Sequence, residues 1–334
     1  MSFTKVVSEL GPGGGGRWVR RRISLASGVD VFAAKECGTS LEALQVDTSV
    51  EFLEAVAEWP QARGIEVSVT GDDEGAGRLY VQLKDAGFRE VFCAVCDDLA
   101  SELDRKAVPR DAVLALHARM VKWQYCLRSV GPSGLSSEAQ LGLWGELFVL
   151  ERYMMTSVGP TSALQAWKGP YGADQDFRLP GLSCEVKSTG HAVPERIHIN
   201  NLRQLDQGGG PPIILVLLVV DSKADRGRSL PDIVNTIRSA TNGSGRETFD
   251  EAIRASGYLD VHATRYASPR YRLAEVRPYV VGANFPLLRV DDMPLGVLEA
   301  RYAISIPTIQ PYQVAEAQFV SHLVAAAHGE SNDR

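Results

Sequence analysis

The sequence is short of cysteine, of net positive charge and of long apolar runs, and each shortage excludes something. Its five cysteines among 334 residues are Cys37, Cys93, Cys96, Cys126 and Cys184. They are too few and too scattered for a disulfide framework, which fits a reducing cytoplasm. Cys93 and Cys96 form one Cys-x-x-Cys with no second pair, so they read as core residues rather than zinc ligands. Lysine and arginine number 35 against 41 aspartate and glutamate, a formal net charge of −6. That balance argues against a generally basic nucleic-acid coat but is compatible with a local basic site. The longest aliphatic run, 213–220, is far too short to cross a bilayer and predicts a buried strand. Met1 to Lys5 lack the apolar stretch of a signal peptide, so a cytoplasmic location is expected. The glycine-rich run 11–16 is not followed by Gly-Lys-Ser or Gly-Lys-Thr, so it predicts a loop rather than a phosphate cradle. The six histidines include no His-x-x-x-His pair.

What is present is an ordinary globular composition, 45% hydrophobic and 23% charged. Residues 1–105 read as an α+β domain, with antiparallel strands near 18–23, 29–34, 65–70 and 79–83. Thr48, with Glu51 three residues on, predicts a helix start. Residues 102–109 read as a linker. Two helices are expected near 111–128 and 137–155, broken by Gly131-Pro132-Ser133-Gly134. Short strands follow near 164–167, 174–178, 183–187 and 196–199. A helix near 200–207 and the strand 213–220 complete an α/β segment, 106–225, with a mixed sheet. Residues 226–334 read as an α+β extension. Its helices fall near 231–239, 247–255 and 313–327, its strands near 271–281 and 297–306.

The informative stretch runs from Gly172 to Thr189. Pro180-Gly181 marks a turn between two strand-like arms. A hairpin centred there sets Asp176 opposite Glu185, and Asp174 opposite Lys187. Carboxylates directly opposite one another repel, so a sheet does not choose that pair for stability. A divalent cation between them turns repulsion into binding, and Mg²⁺ needs only one or two carboxylates. Lys187 can position a water and offset negative charge on a phosphoryl oxygen. Val186, between the two, points into the core and leaves its carbonyl free to join the ion. Asp174 is expected to pair with Lys187 rather than to ligate metal.

Asp176, followed nine residues later by Glu185-Val186-Lys187, resembles the PD-(D/E)XK nuclease superfamily. The expected order of elements resembles its αβββαβ core. The chain is similar in particular to the bacterial "PD-(D/E)XK motif protein" family of restriction-like nucleases. The similarity lies in Gly142 to Phe148, Trp167-Lys168-Gly169-Pro170, Gln175-Asp176-Phe177, Glu185 to Thr189 and Ile197 to Leu205. Gln175 stands where the superfamily's proline would be. The resemblance implies a restriction-endonuclease-like core between a strand-rich N-terminal domain and a C-terminal extension. It implies Asp176, Glu185 and the Val186 carbonyl as ligands of Mg²⁺, with Mn²⁺ as a substitute, and Lys187 as the catalytic lysine. Glu146 matches an acid of the first core helix, and Gln204 a glutamine of the second. The implied substrate is DNA and the implied role restriction or phage defence, beside an ATPase or methyltransferase. Cutting both strands needs two sites, which suggests a homodimer.

Other residues keep two readings. Ser188 and Thr189 either bond phosphate or cap the sheet edge. Arg196 and Arg203 flank the site and are suited to phosphates, and His198 lies near it. Arg17, Arg20, Arg21 and Arg22 are either a solvated face or a contact to the DNA backbone, with Trp18 to stack or to pack. Glu146 alone is equally a boundary residue of an amphipathic helix. The competing function is a catalytically silent DNA-binding or assembly subunit that keeps the fold. A third is a hydrolase of small phosphate esters.

Overall fold

The computed structural model describes residues 2–11, 18–24, 29–39, 41–223, 226–297 and 299–327. Arg17 and most of the glycine run lie outside them. The chain divides into two compact units, Met1–Gly134 with Leu259–Val261, and Leu135–Tyr258 with His262–Arg334.

The first unit holds α1 (Phe3–Glu9), β1 (Trp18–Ser24), β2 (Asp30–Glu36), β3 (Glu42–Ser49), α2 (Val50–Glu54), β4 (Ile65–Gly71), β5 (Ala76–Leu83), α3 (Arg89–Asp104) and α4 (Pro109–Ser129). Its strands form one antiparallel sheet in the order β1-β2-β3-β5-β4. Alternate residues, such as Leu79, Val81 and Leu83 of β5, enter a core shared with the helices. The stretch around Cys93 and Cys96 is helix α3, and both cysteines are buried in that core. The expected linker 102–109 spans only the break between α3 and α4. Asp98 of α3 accepts bonds from Arg119 and Trp123 of α4, so α4 belongs to this unit and not to the next.

The second unit begins with α5 (Ser137–Val149), which continues through a π-turn, Leu150–Met154, into α6 (Met155–Val158). Then come α7 (Pro160–Ala166), β6 (Phe177–Leu179), β7 (Leu182–Thr189), β8 (Arg196–Ile199), a 3₁₀ turn at Leu202–Gln204 and β9 (Ile213–Asp221). The remainder adds α8 (Leu230–Ala240), α9 (Gly243–Ala255), β10 (Arg272–Val281), β11 (Tyr302–Ser305), α10 (Ile306–Ile309) and α11 (Glu316–Ala327). The main sheet runs β10-β9-β7-β6, with β7 and β9 parallel and the outer pairs antiparallel.

Burial explains the order. Ile214, Val216 and Leu218 of β9 join Leu182, Cys184 and Val186 in a core with α5, α8, α9 and α11. The opposite side chains, Ile213, Leu215 and Leu217, pack on Ile197, Ile199 and Ile304. A strand covered on both faces needs an unbroken apolar run, which is what 213–220 supplies.

Several expectations are corrected. Residues 164–167 are not a strand: Pro160 opens a helix that runs to Ala166. The expected helix 200–207 is a single 3₁₀ turn. β8 does not join the main sheet; it pairs with β11 in a separate two-stranded sheet. Residues 226–327 are not a separate extension, since β10 completes the main sheet. The strand expected at 297–306 is confined to Tyr302–Ser305.

Candidate active site

The hairpin forms in the expected register, with Phe177 opposite Cys184, Arg178 opposite Ser183 and Leu179 opposite Leu182. The next pair, Asp176 and Glu185, would extend the ladder, but the strands part there. The Asp176 carbonyl instead accepts the Lys168 and Gly169 N–H groups, at 2.7 and 3.0 Å. Its side chain takes the place of a ladder carbonyl: Oδ2 accepts the Val186 N–H at 2.8 Å. The result is a fork with Asp176 at its base. The N–H and C=O of a strand residue leave on the same side, so the Val186 carbonyl points into the fork.

Glu185 and Lys187 share one face of β7. Lys187 Nζ lies 2.8 Å from Glu185 Oε1 and donates to Gln204 Oε1 at 3.1 Å. The Gln204 oxygen also accepts the Asn200 N–H at 2.9 Å. The lysine is therefore held from two sides, and the expected partner Asp174 is not one of them. Glu185 is buried, and its Oε2 has no hydrogen-bond partner. Such a group is costly in a protein interior.

Glu146 reaches the fork from α5. Its Oε2 accepts the Trp167 Nε1–H at 2.8 Å. Gly169 lies between it and Asp176. A Cβ at Gly169 would stand 2.7 Å from Glu146 Oε2 and 2.9 Å from Asp176 Oδ1. The missing side chain leaves a gap into which oxygens of two different elements converge.

These carboxyls do not titrate ordinarily. Burial pushes Asp176 up to about 6, against the lowering pull of the Val186 N–H and Lys187. Burial, and then the charge of Asp176, hold Glu146 and Glu185 well above the usual carboxylate range. All three want a positive charge that Lys187 alone does not supply.

Among the described residues, no three His, Cys, Asp or Glu side chains form a ready cage. A hard cation that keeps its waters needs only one or two carboxylates. The oxygen donors, the orphan Glu185 Oε2 and the gap at Gly169 fit such an ion. Raised carboxyl pKa values fix the sign of its pH dependence. Without an ion, the fold favours the protonated acids. Their contribution to stability is present below the ordinary carboxylate range and fades as pH rises through about 6 and beyond. Ion binding must expel those protons. The rise in melting temperature caused by a fixed Mg²⁺ concentration should therefore grow from pH 5 to pH 8. A flat profile in differential scanning fluorimetry would count against binding at these carboxyls.

The site opens into a cleft of about 1090 Å³. Ser188, Thr189, Arg196 and His198 line it together with the acids, Lys187 and Gln204. The Ser188 hydroxyl is buried against Gly145 of α5, where a Cβ would collide with it. Thr189 Oγ1 accepts the His191 N–H at 3.2 Å. Arg203 is exposed and is not among the residues lining the cleft. Arg20 and Arg22 belong to the first unit. They pair with Asp47 and Asp30 at 2.9 and 2.7 Å and lie over the Phe32 ring.

Three residues with a structural claim on the site carry no role in the sequence reading. Trp167 orients Glu146, and Gly169 provides the gap. Gln175, at the proline position, is buried and donates to the Arg203 carbonyl at 2.6 Å, while accepting from Arg178 at 2.9 Å. It ties the arm bearing Asp176 to the turn bearing Gln204. A buried amide beside an acid was the available signal. Replacing Trp167 by Phe keeps the ring and removes the donor. Mg²⁺ affinity, read by isothermal titration, should fall by about 10–100-fold, as for other groups that orient a ligand.

No helix among the described residues is long and apolar enough to cross a membrane. Comparison with known proteins gives one finding. A family model described as "Putative PD-(D/E)XK family member, (DUF4420)" matches residues 5–307. Searches of curated proteins and of solved structures gave no match. The family match runs across Glu146, Asp176, Glu185 and Lys187, and the chain belongs to this family.

Proposed function

We propose that the protein is a Mg²⁺-dependent deoxyribonuclease, an endonuclease that hydrolyses the DNA backbone. One observation carries the reading: Glu146 and Asp176 converge on the gap at Gly169, and Glu185, buried with an orphan oxygen, lies with them in one cleft beside a lysine held in place. A stable fold has no use for that arrangement unless a cation completes it. In this reading α5, β6, β7, β8, the 3₁₀ turn and β9 stand for the αβββαβ core, with the second helix reduced to one turn.

Asp176, Glu185 and the Val186 carbonyl would hold the ion, and Glu146 would reach it directly or through water. When bound, the ion lowers the pKa of a water and neutralises charge on the scissile phosphate. The remaining work belongs to the chain. Gln204 fixes the Lys187 ammonium. Lys187 orients the attacking water and faces the negative charge that builds on the five-coordinate phosphorus. Hydrolysis on this pattern leaves a 5′-phosphate and a 3′-hydroxyl. Arg196 and Thr189 line the cleft and would meet flanking phosphates, whereas the Ser188 hydroxyl is buried against α5 and would not reach them. Arg203, Arg20 and Arg22 would act at longer range, the last two only by exchanging Asp47 and Asp30 for phosphate. The family resemblance supports a role in restriction or phage defence.

The test is cleavage of supercoiled plasmid with Mg²⁺, with Mn²⁺ and with chelator. Nicked or linear product should appear only with the ions, and its ends should be ligatable. No cleavage and no metal-linked thermal shift would favour the silent subunit. Cleavage of small phosphate esters that long duplex DNA does not inhibit would favour the third reading.

A further inference from the structure

A second pocket, of about 690 Å³, lies beside β6, the edge strand of the main sheet. It shares no lining residue with the active-site cleft. Two cations line it, Lys168 and Arg178, and none of its lining residues is an acid. Among the described residues no ion pair holds either one. In a chain of net charge −6, two such cations in one concavity call for an anion. Arg178 is set in place for one. The Gln175 amide donates to the Arg203 carbonyl, so its oxygen faces Arg178 and accepts one N–H at 2.9 Å. The other guanidinium N–H groups remain for a ligand. Ser157, also in the lining, adds an independent sign. Its hydroxyl is buried and has no hydrogen-bond partner. A helical serine ordinarily bonds the carbonyl four residues back, but here the Tyr153 carbonyl takes the Thr156 hydroxyl instead, at 3.0 Å. A ligand oxygen would remove the cost of that orphan.

We propose that this pocket binds a free nucleoside 5′-phosphate, with its phosphate toward Lys168 and Arg178. The volume is that of a small-molecule site, larger than a bare phosphate needs. Much of the remaining wall is apolar, with Val158, Leu179, Pro180 and Pro211. Inorganic phosphate would leave that wall wet, and a sugar phosphate would set hydroxyls against it. A base offers it a flat apolar face and polar edges, for which Ser162 and Gln165 are at hand. Duplex DNA is a poor occupant, because its bases are stacked inside and cannot enter a pocket.

The test is isothermal titration of the full chain in EDTA, which keeps cation chemistry in the cleft out of the measurement. The probes are the nucleoside 5′-monophosphates, the nucleosides and inorganic phosphate. At least one monophosphate should bind about tenfold or more tightly than inorganic phosphate and than its own nucleoside. Lys168→Ala and Arg178→Ala should each weaken that binding by about tenfold, as the loss of a charge-assisted hydrogen bond does. Both residues are exposed, as is Ser162. Ser162→Glu, which brings an acid to the phosphate, should abolish binding at an unchanged melting temperature. The inference is overturned if no monophosphate binds more tightly than inorganic phosphate. It is equally overturned if the three variants bind as the wild type does. Tighter binding of an unphosphorylated oligothymidylate, lost in the same variants, would give the pocket to a DNA strand instead. Neither metal nor cleavage enters the measurement, so its result is independent of the nuclease reading.

Discussion

Gly169→Ala should cut DNA cleavage by about 10²-fold although it removes no functional group. The added methyl would sit within 3 Å of both Glu146 Oε2 and Asp176 Oδ1. Either the acids move apart or the loop moves away. Either change would displace the oxygens that would hold an ion, and a displacement of 1 Å near a reacting centre costs about 10²-fold. The backbone of Gly169 is not in the left-handed region, so alanine brings no conformational strain of its own. Asp176→Ala serves as the reference, with complete loss expected. In both variants the metal-linked rise in melting temperature should fall together with cleavage. Gly169→Ala with full activity would show that the gap is incidental.

Lys187→Met should separate metal binding from turnover. The substitution keeps the length of the side chain and removes its charge. Turnover should fall by about 10²–10⁴-fold, the range for a group that orients a proton-bearing nucleophile or faces transition-state charge. The metal-free protein should also lose stability, because Glu185 loses its only ion pair among the described residues. Breaking a buried pair costs about 3–5 kcal/mol. Part of that is recovered because burial already favours a protonated Glu185. The loss should therefore be smaller at pH 5 than at pH 8. Mg²⁺ then replaces the missing cation, so its thermal shift should exceed that of the wild type. Cleavage within about tenfold of wild type would remove Lys187 from the chemistry.

The legible parts of the site rest on local rules. Pro180-Gly181 fixes the hairpin, and a hairpin fixes its register, so Asp176 and Glu185 could be matched by counting. The resemblance puts Gln204 near the site, but its bond to Lys187 is seen only in the structure. What stayed illegible depends on distance or on ambiguity. Residues 164–167 are a short apolar run, which periodicity cannot assign to strand or helix. The partner of β8 lies about a hundred residues away in β11, and no local signal announces it. Asp174 failed as a partner of Lys187 because the ladder parts at Asp176, and the fork is made by bonds from Lys168 and Gly169. The role of Gly169 is the absence of a side chain where two distant acids meet, which a linear reading does not reveal.

β7 has a consequence for errors of folding as well as for chemistry. Its even-numbered residues, Leu182, Cys184 and Val186, lie in one core, while Glu185 and Lys187 face the cleft. A slip of one residue against β9 would drive two charges into oil and bring three apolar groups to water. The same burial that stabilises the sheet therefore proofreads the position of the acid and the lysine. A chain that has folded at all has already set the acid beside the lysine.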